Sequence, residues 1–330
     1  MILITGGAGF IGSNLLARIA ERAPWDVLVC DTFGTEDKWK NVAKHPCFNF
    51  ITPEELPSYL QNKKGLPPLQ AVFHMGAISS TTARDLKTLL ESNVELSKTL
   101  WNFSTEENIP FFYASSAGTY GDGSLGFDDR FDEEYLRALR PLSPYGWSKN
   151  LFDLWVWHQV NVKHRHPPQW AGLKFFNVYG PNEYHKGGQQ SVVAHLYPQI
   201  QEHGVAKLFK SYQPDYQEGH QLRDFIWVED CVNVMLWLWD TPQVSGLFNV
   251  GTGTARSFFD LATAVFSALG RRPSITYIDM PDGLNATYQY YTQAPMDKLR
   301  QAGYTRPFTS LEEGVRHYVQ NYLSQPDPYR

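Results

Sequence analysis

The sequence predicts an α/β protein: a doubly wound parallel sheet with a smaller mixed α/β lobe beside it. Three observations carry that expectation. Apolar runs without a polar break recur at Met1-Ile2-Leu3-Ile4, Val27-Leu28-Val29-Cys30, Ala71-Val72-Phe73-His74 and Phe111-Phe112-Tyr113-Ala114. Strands buried on both faces read this way. Helical segments alternate with them, which implies parallel strands joined by right-handed crossovers. The first turn, Thr5-Gly6-Gly7-Ala8-Gly9-Phe10-Ile11-Gly12, runs from a strand into a helix through glycines.

That turn organises the chain. Ser13 to Glu21 behind it carries Leu15, Leu16 and Ile19 on one helical face. Free backbone N–H groups and a positive dipole end then coincide, which suits a pyrophosphate. The glycines serve a tight turn, close approach of backbone to phosphate, and packing of helix on strand. A glycine pattern alone is weak, since an ordinary strand–helix turn shows it too. Here Asp31 ends the second strand, where a ribose hydroxyl is expected. The context points to a dinucleotide-binding (Rossmann) half.

With 330 residues, 42% hydrophobic and 19% charged, the chain can bury a large core. The expected division is a cofactor domain over 1–176, with returning segments around 224–252, and a substrate lobe mainly over 177–330. The net charge is −5 and no basic block occurs, so nucleic acid is not an expected partner. No apolar stretch reaches the roughly 18 residues of a membrane span. The first strand begins at residue 2, leaving no room for a signal peptide, so a cytoplasmic protein is expected. Cys30, Cys47 and Cys231 show no metal-ligand spacing and read as reduced thiols, with no metal. Trp155, Trp157, Trp237 and Trp239 lie in helix-like runs and read as core or subunit contacts, with a homo-oligomer expected.

In chain order, Thr32 to Asn41 is a loop at the adenosine end of the cofactor. Lys38 or Lys40 is placed there to meet a 2′-phosphate, whereas Asp31 alone favours an unphosphorylated ribose. A solvated surface charge is the plain alternative for either lysine. Residues 42–70 read as irregular and proline-punctuated. Met75-Gly76-Ala77 turns out of the third strand, and Ser79-Ser80-Thr81-Thr82 offers caps for a helix carrying Leu86, Leu89 and Leu90. Asn93 to Phe103 reads as a further helix. The next strand ends at Ser115-Ser116. Gly121 to Pro141, with Asp128, Asp129, Asp132, Glu133 and Glu134, reads as a solvated acidic loop.

Pro144-Tyr145-Gly146-Trp147-Ser148-Lys149 opens a helix, with proline suited to its first turn. Tyr145 and Lys149 share a face. A tyrosine titrates near 10, too high for a neutral-pH base. A neighbouring ammonium and a positive cofactor ring are expected to lower it. Ser116 would hold the substrate hydroxyl. Tyr-x-x-x-Lys is common by chance and gains meaning only behind the glycine turn and a strand-end serine. Gly172 to Pro181 is a strand and its exit turn, and Asn182 to Gly188 is a loop. Helical material with His195 follows, then Lys207 to Tyr212. Arg223 leads into a helix ending at Asp240. Leu247 to Gly251 reads as a strand, Ser257 to Leu269 as a helix, and Ser310 to Leu323 as the last helix.

These motifs together resemble the extended short-chain dehydrogenase/reductase superfamily over nearly the whole chain. The carriers are the glycine turn, Ser115-Ser116-Ala117-Gly118-Thr119-Tyr120-Gly121, Tyr145-x-x-x-Lys149, Asn177-Val178-Tyr179-Gly180-Pro181 and Arg223-Asp224-Phe225. A narrower resemblance is to its ADP-L-glycero-D-manno-heptose 6-epimerase family. It lies in His74-x-Gly76-Ala77-x-Ser79-Ser80-Thr81-Thr82, Tyr179-Gly180-Pro181-x-x-x-His185-Lys186-Gly187 and Tyr288-Gln289-x-x-Thr292-Gln293-Ala294. The resemblance implies epimerisation at C6 of an ADP-activated heptose, a nucleotide-sugar substrate, and NADP as cofactor, with NAD as the alternative.

It also implies roles. Tyr145 and Lys186 would be the two bases, with Ser116 and Lys149 beside Tyr145, and Lys38 would sit by the adenosine phosphate. The cofactor would meet Gly6, Gly9, Phe10, Ile11, Gly12, Asp31, Thr32, Lys38, Met75, Gly76, Ala77, Ile78, Ser79, Asn93, Lys149, Val178 and Lys186. The sugar nucleotide would meet Ser116, Asn177, Gly188, His195, Phe209, Lys210, Ser211, Tyr212, Arg223 and Tyr288. Gly188 stands where the family usually has serine, and Met75 where it often has glutamate. A sugar-nucleotide 4-epimerase or 4,6-dehydratase is the alternative enzyme. Elimination needs an acid after the strand-end serine, and Ala117-Gly118-Thr119 supplies none. A non-catalytic NADP-binding protein on the same fold would commonly lack the tyrosine or the lysine; this chain has both.

Overall fold

The apolar runs form strands because their side chains have no route to water: Ile2, Leu3, Ile4, Val27, Leu28, Val29, Ala71, Val72 and Phe73 are all fully buried. The computed structural model describes every residue except 35–36, 63–66, 81–84 and 282–287. Its first half runs β1 (Ile2–Thr5), α1 (Phe10–Arg22), β2 (Val27–Cys30), β3 (Asn49–Ile51), α2 (Leu56–Gln61), β4 (Ala71–His74), α3 (Leu86–Leu90), α4 (Leu96–Glu106), β5 (Phe111–Ser116), α5 (Glu133–Ala138), α6 (Pro144–Asn161) and β6 (Trp170–Phe175). The second half runs β7 (Asn177–Tyr179), α7 (Val192–His203), β8 (Ala206–Phe209), β9 (Leu222–Trp227), α8 (Val228–Trp239), β10 (Gly246–Val250), β11 (Ala255–Ser257), α9 (Phe258–Ala268), β12 (Ile275–Ile278), α10 (Asp297–Gln301) and α11 (Leu311–Tyr318).

Seven strands make one sheet in the order β10-β6-β5-β4-β1-β2-β3. Every pair in it is parallel. The strand order reverses between β1 and β4, and such a reversal opens a crevice beyond the carboxyl ends of the strands. Two smaller sheets, β11-β9-β7 and β12-β8, accompany it. One hydrophobic cluster surrounds the large sheet; a second joins α7, α9 and α11 to the small sheets. Trp155, Trp157, Trp237 and Trp239 pack on the first cluster, as the core reading expected. The cysteines are buried and free. Among the described residues no helix is long and apolar enough to cross a membrane, and no group of side chains is placed to hold a metal.

Three expectations need correction. Residues 42–70 are not wholly irregular, because β3 closes the sheet edge and α2 starts with Pro57 in its first turn. The helices read at Leu86 and Asn93 are one continuous rod, joined by a wide π-type turn over Glu91–Glu95. Its N-cap is Asp85, whose carboxylate accepts from the Lys87 and Thr88 N–H groups at 3.1 and 3.2 Å. The capping read at Thr81 and Thr82 lies outside the described residues. The segment 121–141 is not simply a solvated acidic loop either. Asp132 caps α5 by accepting from Tyr135 N at 2.8 Å. Asp129 is 4% exposed and accepts from Asn249 N of β10 at 2.8 Å, and burial pushes its carboxyl up.

Candidate active site

A cavity of about 670 Å³ lies at the carboxyl ends of β1, β2, β4 and β5. The glycine turn makes its floor. Gly6 has φ +65°, and a Cβ there would stand 2.6 Å from Gly76 N; a Cβ on Gly12 would stand 2.1 Å from Gly6 O. Only glycine allows the β1 and β4 turns to touch and α1 to seat against them. α1 begins without a side-chain cap and without an acid in its first turn. Its first N–H groups and dipole are therefore left for an anion rather than taken by a side chain.

Asp31 sits at the end of β2 with three donors on it. Its Oδ2 accepts from Ala8 N at 2.9 Å, and its Oδ1 accepts from Thr32 N at 2.7 Å and Lys38 Nζ at 2.5 Å. Lys38 also donates to Thr32 O at 2.7 Å. The lysine thus neutralises the acid beside the ribose position. Lys40 pairs instead with Asp37, at 2.7 Å on the surface. His74, buried at the end of β4, bonds Thr5 Oγ1 at 2.6 Å and Ser97 Oγ at 2.8 Å. Burial pulls its pKa down to about 3, so it is a neutral tie rather than a charge. Met75, Gly76, Ala77, Ile78 and Ser79 form one wall, and Thr32, Ile11 and Val178 also line the cavity. Asn93 does not line it. It lies behind the wall, accepting from Ile78 N at 2.8 Å and donating to Ile78 O at 3.0 Å.

Ser143 caps α6 by accepting from Gly146 N at 3.1 Å, with Pro144 in the first turn. This aims Tyr145 and Lys149 into the cavity one turn apart. Ser116, at the end of β5, hydrogen-bonds the Tyr145 phenol and accepts from Gly118 N at 3.0 Å. The expected lowering of the phenol by Lys149 is not found. Burial raises the Tyr145 pKa, opposed by the Ser116 bond. Lys149 is 3% exposed, and burial pulls its own pKa down to about 8.

Behind this pair stands a network that sequence reasoning missed. Asp153 of α6 and Lys174 of β6 are fully buried and paired at 2.8 Å. Asp153 also accepts from Tyr113 OH at 3.0 Å and Ser115 Oγ at 2.8 Å, and Lys174 donates to Thr119 Oγ1 at 2.6 Å. A lysine inside the otherwise apolar run Leu173 to Phe176 was the available signal, since a buried cation needs a buried partner.

Lys186 enters the same cavity from a short 3₁₀ turn, Tyr184–Gln189, in which Gly187 has φ +53°. Its ammonium lies 5.3 Å from the centre of the Phe10 ring. Burial lowers its pKa, opposed by Glu183. Glu183, fully buried, staples the base of the turn by accepting from Ser191 N at 2.5 Å and Ser191 Oγ at 2.7 Å. His185 beside it is pulled down to about 4 by burial and by Lys38 and Lys186. Asn41 ties this turn to the glycine turn, donating to Ala8 O at 2.8 Å and Asn182 O at 3.1 Å.

Of the expected substrate residues, Ser116 and Gly188 line the cavity. Asn177, His195, Phe209, Lys210, Ser211, Tyr212, Arg223 and Tyr288 do not. His195 lies in the first turn of α7. Asn177 starts β7, with Oδ1 3.5 Å from Thr292 Oγ1. Arg223 is 6% exposed, with its guanidinium 5.0 Å from the Tyr288 ring and 5.6 Å from Phe258. Among the described residues its hydrogen bond is to Leu222 O at 2.9 Å and no ion pair reaches it. Phe209 stands edge-on to Tyr288 at 6.5 Å. Lys210 and Tyr212 both engage Asp279, at 3.1 and 2.9 Å, and Ser211 Oγ donates to Gln213 O at 2.9 Å.

The profile of the NAD dependent epimerase/dehydratase family matches residues 2–251. The chain belongs to that family. Among epimerase/dehydratase relatives, the chain is 46% identical over 335 residues to ADP-L-glycero-D-manno-heptose-6-epimerase of Fusobacterium nucleatum, and 48% identical over 329 residues to the enzyme of that name from Nitratidesulfovibrio vulgaris. Both comparisons cover 100% of each chain. The crystal structure of Helicobacter pylori ADP-L-glycero-D-manno-heptose-6-epimerase superposes with a TM-score of 0.79 at 29% identity, over 97% of this chain and 95% of that one. Thermotoga maritima UDP-glucose 4-epimerase, at 24% identity and a TM-score of 0.74 over 96% of each chain, shares the fold.

Proposed function

We propose that this epimerase/dehydratase family member inverts C6 of ADP-D-glycero-D-manno-heptose to give the ADP-L-glycero-D-manno epimer, with NADP as its resident cofactor. The carrying observation is identity near one half, over the full chain, to enzymes that bear that name. The cavity supports the reading on its own chemistry. Its glycine floor excludes any Cβ, its helix end is uncapped, and an acid closes the β2 end. Those features fit a dinucleotide. When bound, the nicotinamide accepts and returns the two electrons and hydrogen of C6.

The chain's own residues then handle position and protons. Ser116 holds the C6 oxygen beside Tyr145. Tyr145 or Lys186 takes the C6 hydroxyl proton as the ketone forms. The ketone turns about its exocyclic bond and presents its other face, and the other residue returns a proton to the same oxygen. One fixed base serves one presentation only, which is why a second group from a different element is needed. Lys186, already lowered by burial, is suited to give and take a proton nearer neutrality. The positive ring of the bound cofactor would join the Ser116 bond in opposing the burial that raises Tyr145.

Lys38 on Asp31 removes the charge that would repel a 2′-phosphate, which favours NADP. Arg223, buried and without an acid among the described residues, is suited to the diphosphate of the sugar nucleotide. Residues 1–176 with 224–252 hold the cofactor in this reading, and the remainder holds the sugar. The test is incubation with ADP-D-glycero-D-manno-heptose in D₂O with no added cofactor, followed by proton NMR. C6 should invert without gaining deuterium. Inactivity there, with turnover of a UDP-hexose, would reassign the chain to 4-epimerisation.

A further inference from the structure

Residues 327–330 pack where the loops serving the cavity converge. We propose that they form a latch that positions Lys186 through Tyr184 and Asn182. This rests on the reading of Lys186 as the second base. On one side the latch holds the base of the catalytic turn. Tyr184 OH donates to Pro328 O at 2.8 Å, the Tyr329 ring stands edge-on to Tyr184 at 5.1 Å, and Arg330 N donates to Asn182 Oδ1 at 2.9 Å. Asn182 is itself in the left-handed region, at φ +72°, so its side-chain bonds help fix the direction in which the turn leaves.

On its other side the latch is anchored to α1, α8 and the segment after Lys38, at residues outside the cavity lining. Lys44 donates to Tyr329 O at 2.7 Å and pairs with Asp327 at 2.7 Å. Arg330 Nη1 donates to Asn14 Oδ1 of α1 at 3.2 Å and pairs with Glu229 of α8. The residues joined are thus the helix behind the glycine turn, the segment after Lys38, and the approach to Lys186.

The geometry of the turn shows why its base matters. A Cβ added to Gly187 or Gly188 would meet nothing within 4 Å. The glycines after Lys186 give the tip no support, so the ammonium's place depends on residues 182–184 at the base of the turn together with the Phe10 ring it lies over. Holding a catalytic group in a near-attack position is worth large factors in rate, and a displacement of about 1 Å can cost roughly 10²-fold. None of residues 327–330 lines the cavity, so their effect on Lys186 runs through the turn.

The test uses the double variant Tyr329→Ala/Arg330→Ala in the full chain with its cofactor. The kcat for epimerisation should fall roughly tenfold or more, while cofactor affinity and KM for the ADP-heptose stay near wild type. Tyr329→Phe keeps the ring and every backbone contact, and should restore kcat. Placed in a Lys186→Met background, the double variant should add no further loss. Wild-type kcat in the double variant would overturn the latch. So would the same proportional loss with and without Lys186, since that marks a general structural effect. A fully active Lys186→Met would instead reject the two-base reading on which the latch depends.

Discussion

Tyr145 and Lys186 line one cavity but are supported in opposite ways. Tyr145 sits on an 18-residue helix with a capped start. Behind it, a fully buried Lys174–Asp153 pair ties that helix to β5 and β6. Lys186 sits on a six-residue turn fastened by side-chain bonds at its base, with open space around its glycines. The first group is a property of the core, so its placement cannot be changed without touching stability. The second is held by bonds that can be cut one at a time. In the proposed reaction, one rigid and one adjustable group can meet the same oxygen in two presentations, which a single rigid site cannot do.

The largest expected effect compares the two groups directly. Tyr145→Phe removes one oxygen, so folding and cofactor binding should survive while epimerisation falls by about 10²–10⁴. Lys186→Met should do the same in steady-state assays. A truncated aldehyde analogue that disproportionates needs only one base. One of the two single variants should therefore keep substantial disproportionation, and the double variant should lose both reactions.

The next effect is on stability and should separate the supports. Asp153→Asn leaves Lys174 buried without its acid, which should cost about 3–5 kcal/mol in urea unfolding. Asn41→Ala, which frees the Lys186 turn from the glycine turn, should cost nearer 1 kcal/mol per hydrogen bond lost. Similar losses for the two variants would erase the distinction between core and loop.

The third effect is a pH dependence tied to Lys149. Its folded pKa is near 8 against an ordinary 10.5, a direction set by burial. Between those values the unfolded chain binds the proton more often than the folded one, so stability rises with pH. The rise should amount to at most about 3 kcal/mol across that window. It should be missing from Lys149→Met when the two proteins are compared by denaturant titration from pH 7 to 10.

The smallest effect concerns the cofactor. Lys38→Ala should weaken NADP by about 1.5–3 kcal/mol, as loss of a charge-assisted bond, and leave NAD nearly untouched. Equal weakening of both, or a wild-type preference for NAD, would return Lys38 to the role of a partner for Asp31 alone.

Strands β1, β2, β4 and β5 of the large sheet were legible because each is a short, almost wholly apolar run, followed by a glycine or an acid or ending in serines in three of the four cases. That Tyr145, Lys149 and Lys186 would face one cavity was legible because their spacing is local: Tyr145 and Lys149 lie one turn apart, and Lys186 follows directly on a strand and its turn. What escaped was short or non-local. β3 has three residues and α2 six, too few for a period to register. Asp129 looked like one acid among five, and only the return of β10 makes it a buried acceptor. The fall of the Tyr145 pKa was expected from its neighbours on the helix, but the burial that opposes it comes from the fold around it. Asp153 with Lys174, and Asn41 with Asn182, join residues far apart in the chain, and no spacing announces such pairs.

The central claim is that Tyr145 and Lys186 serve opposite presentations of one C6 oxygen. Its most direct test mixes each C6 epimer of the ADP-heptose separately with Tyr145→Phe and with Lys186→Met, both loaded with cofactor, and follows nicotinamide reduction by absorbance. The account predicts opposite preferences: each variant oxidises one epimer and stalls on the other, and the two choices are reversed. If both variants favour the same epimer, or if Lys186→Met matches wild type on both, the two-base account is contradicted.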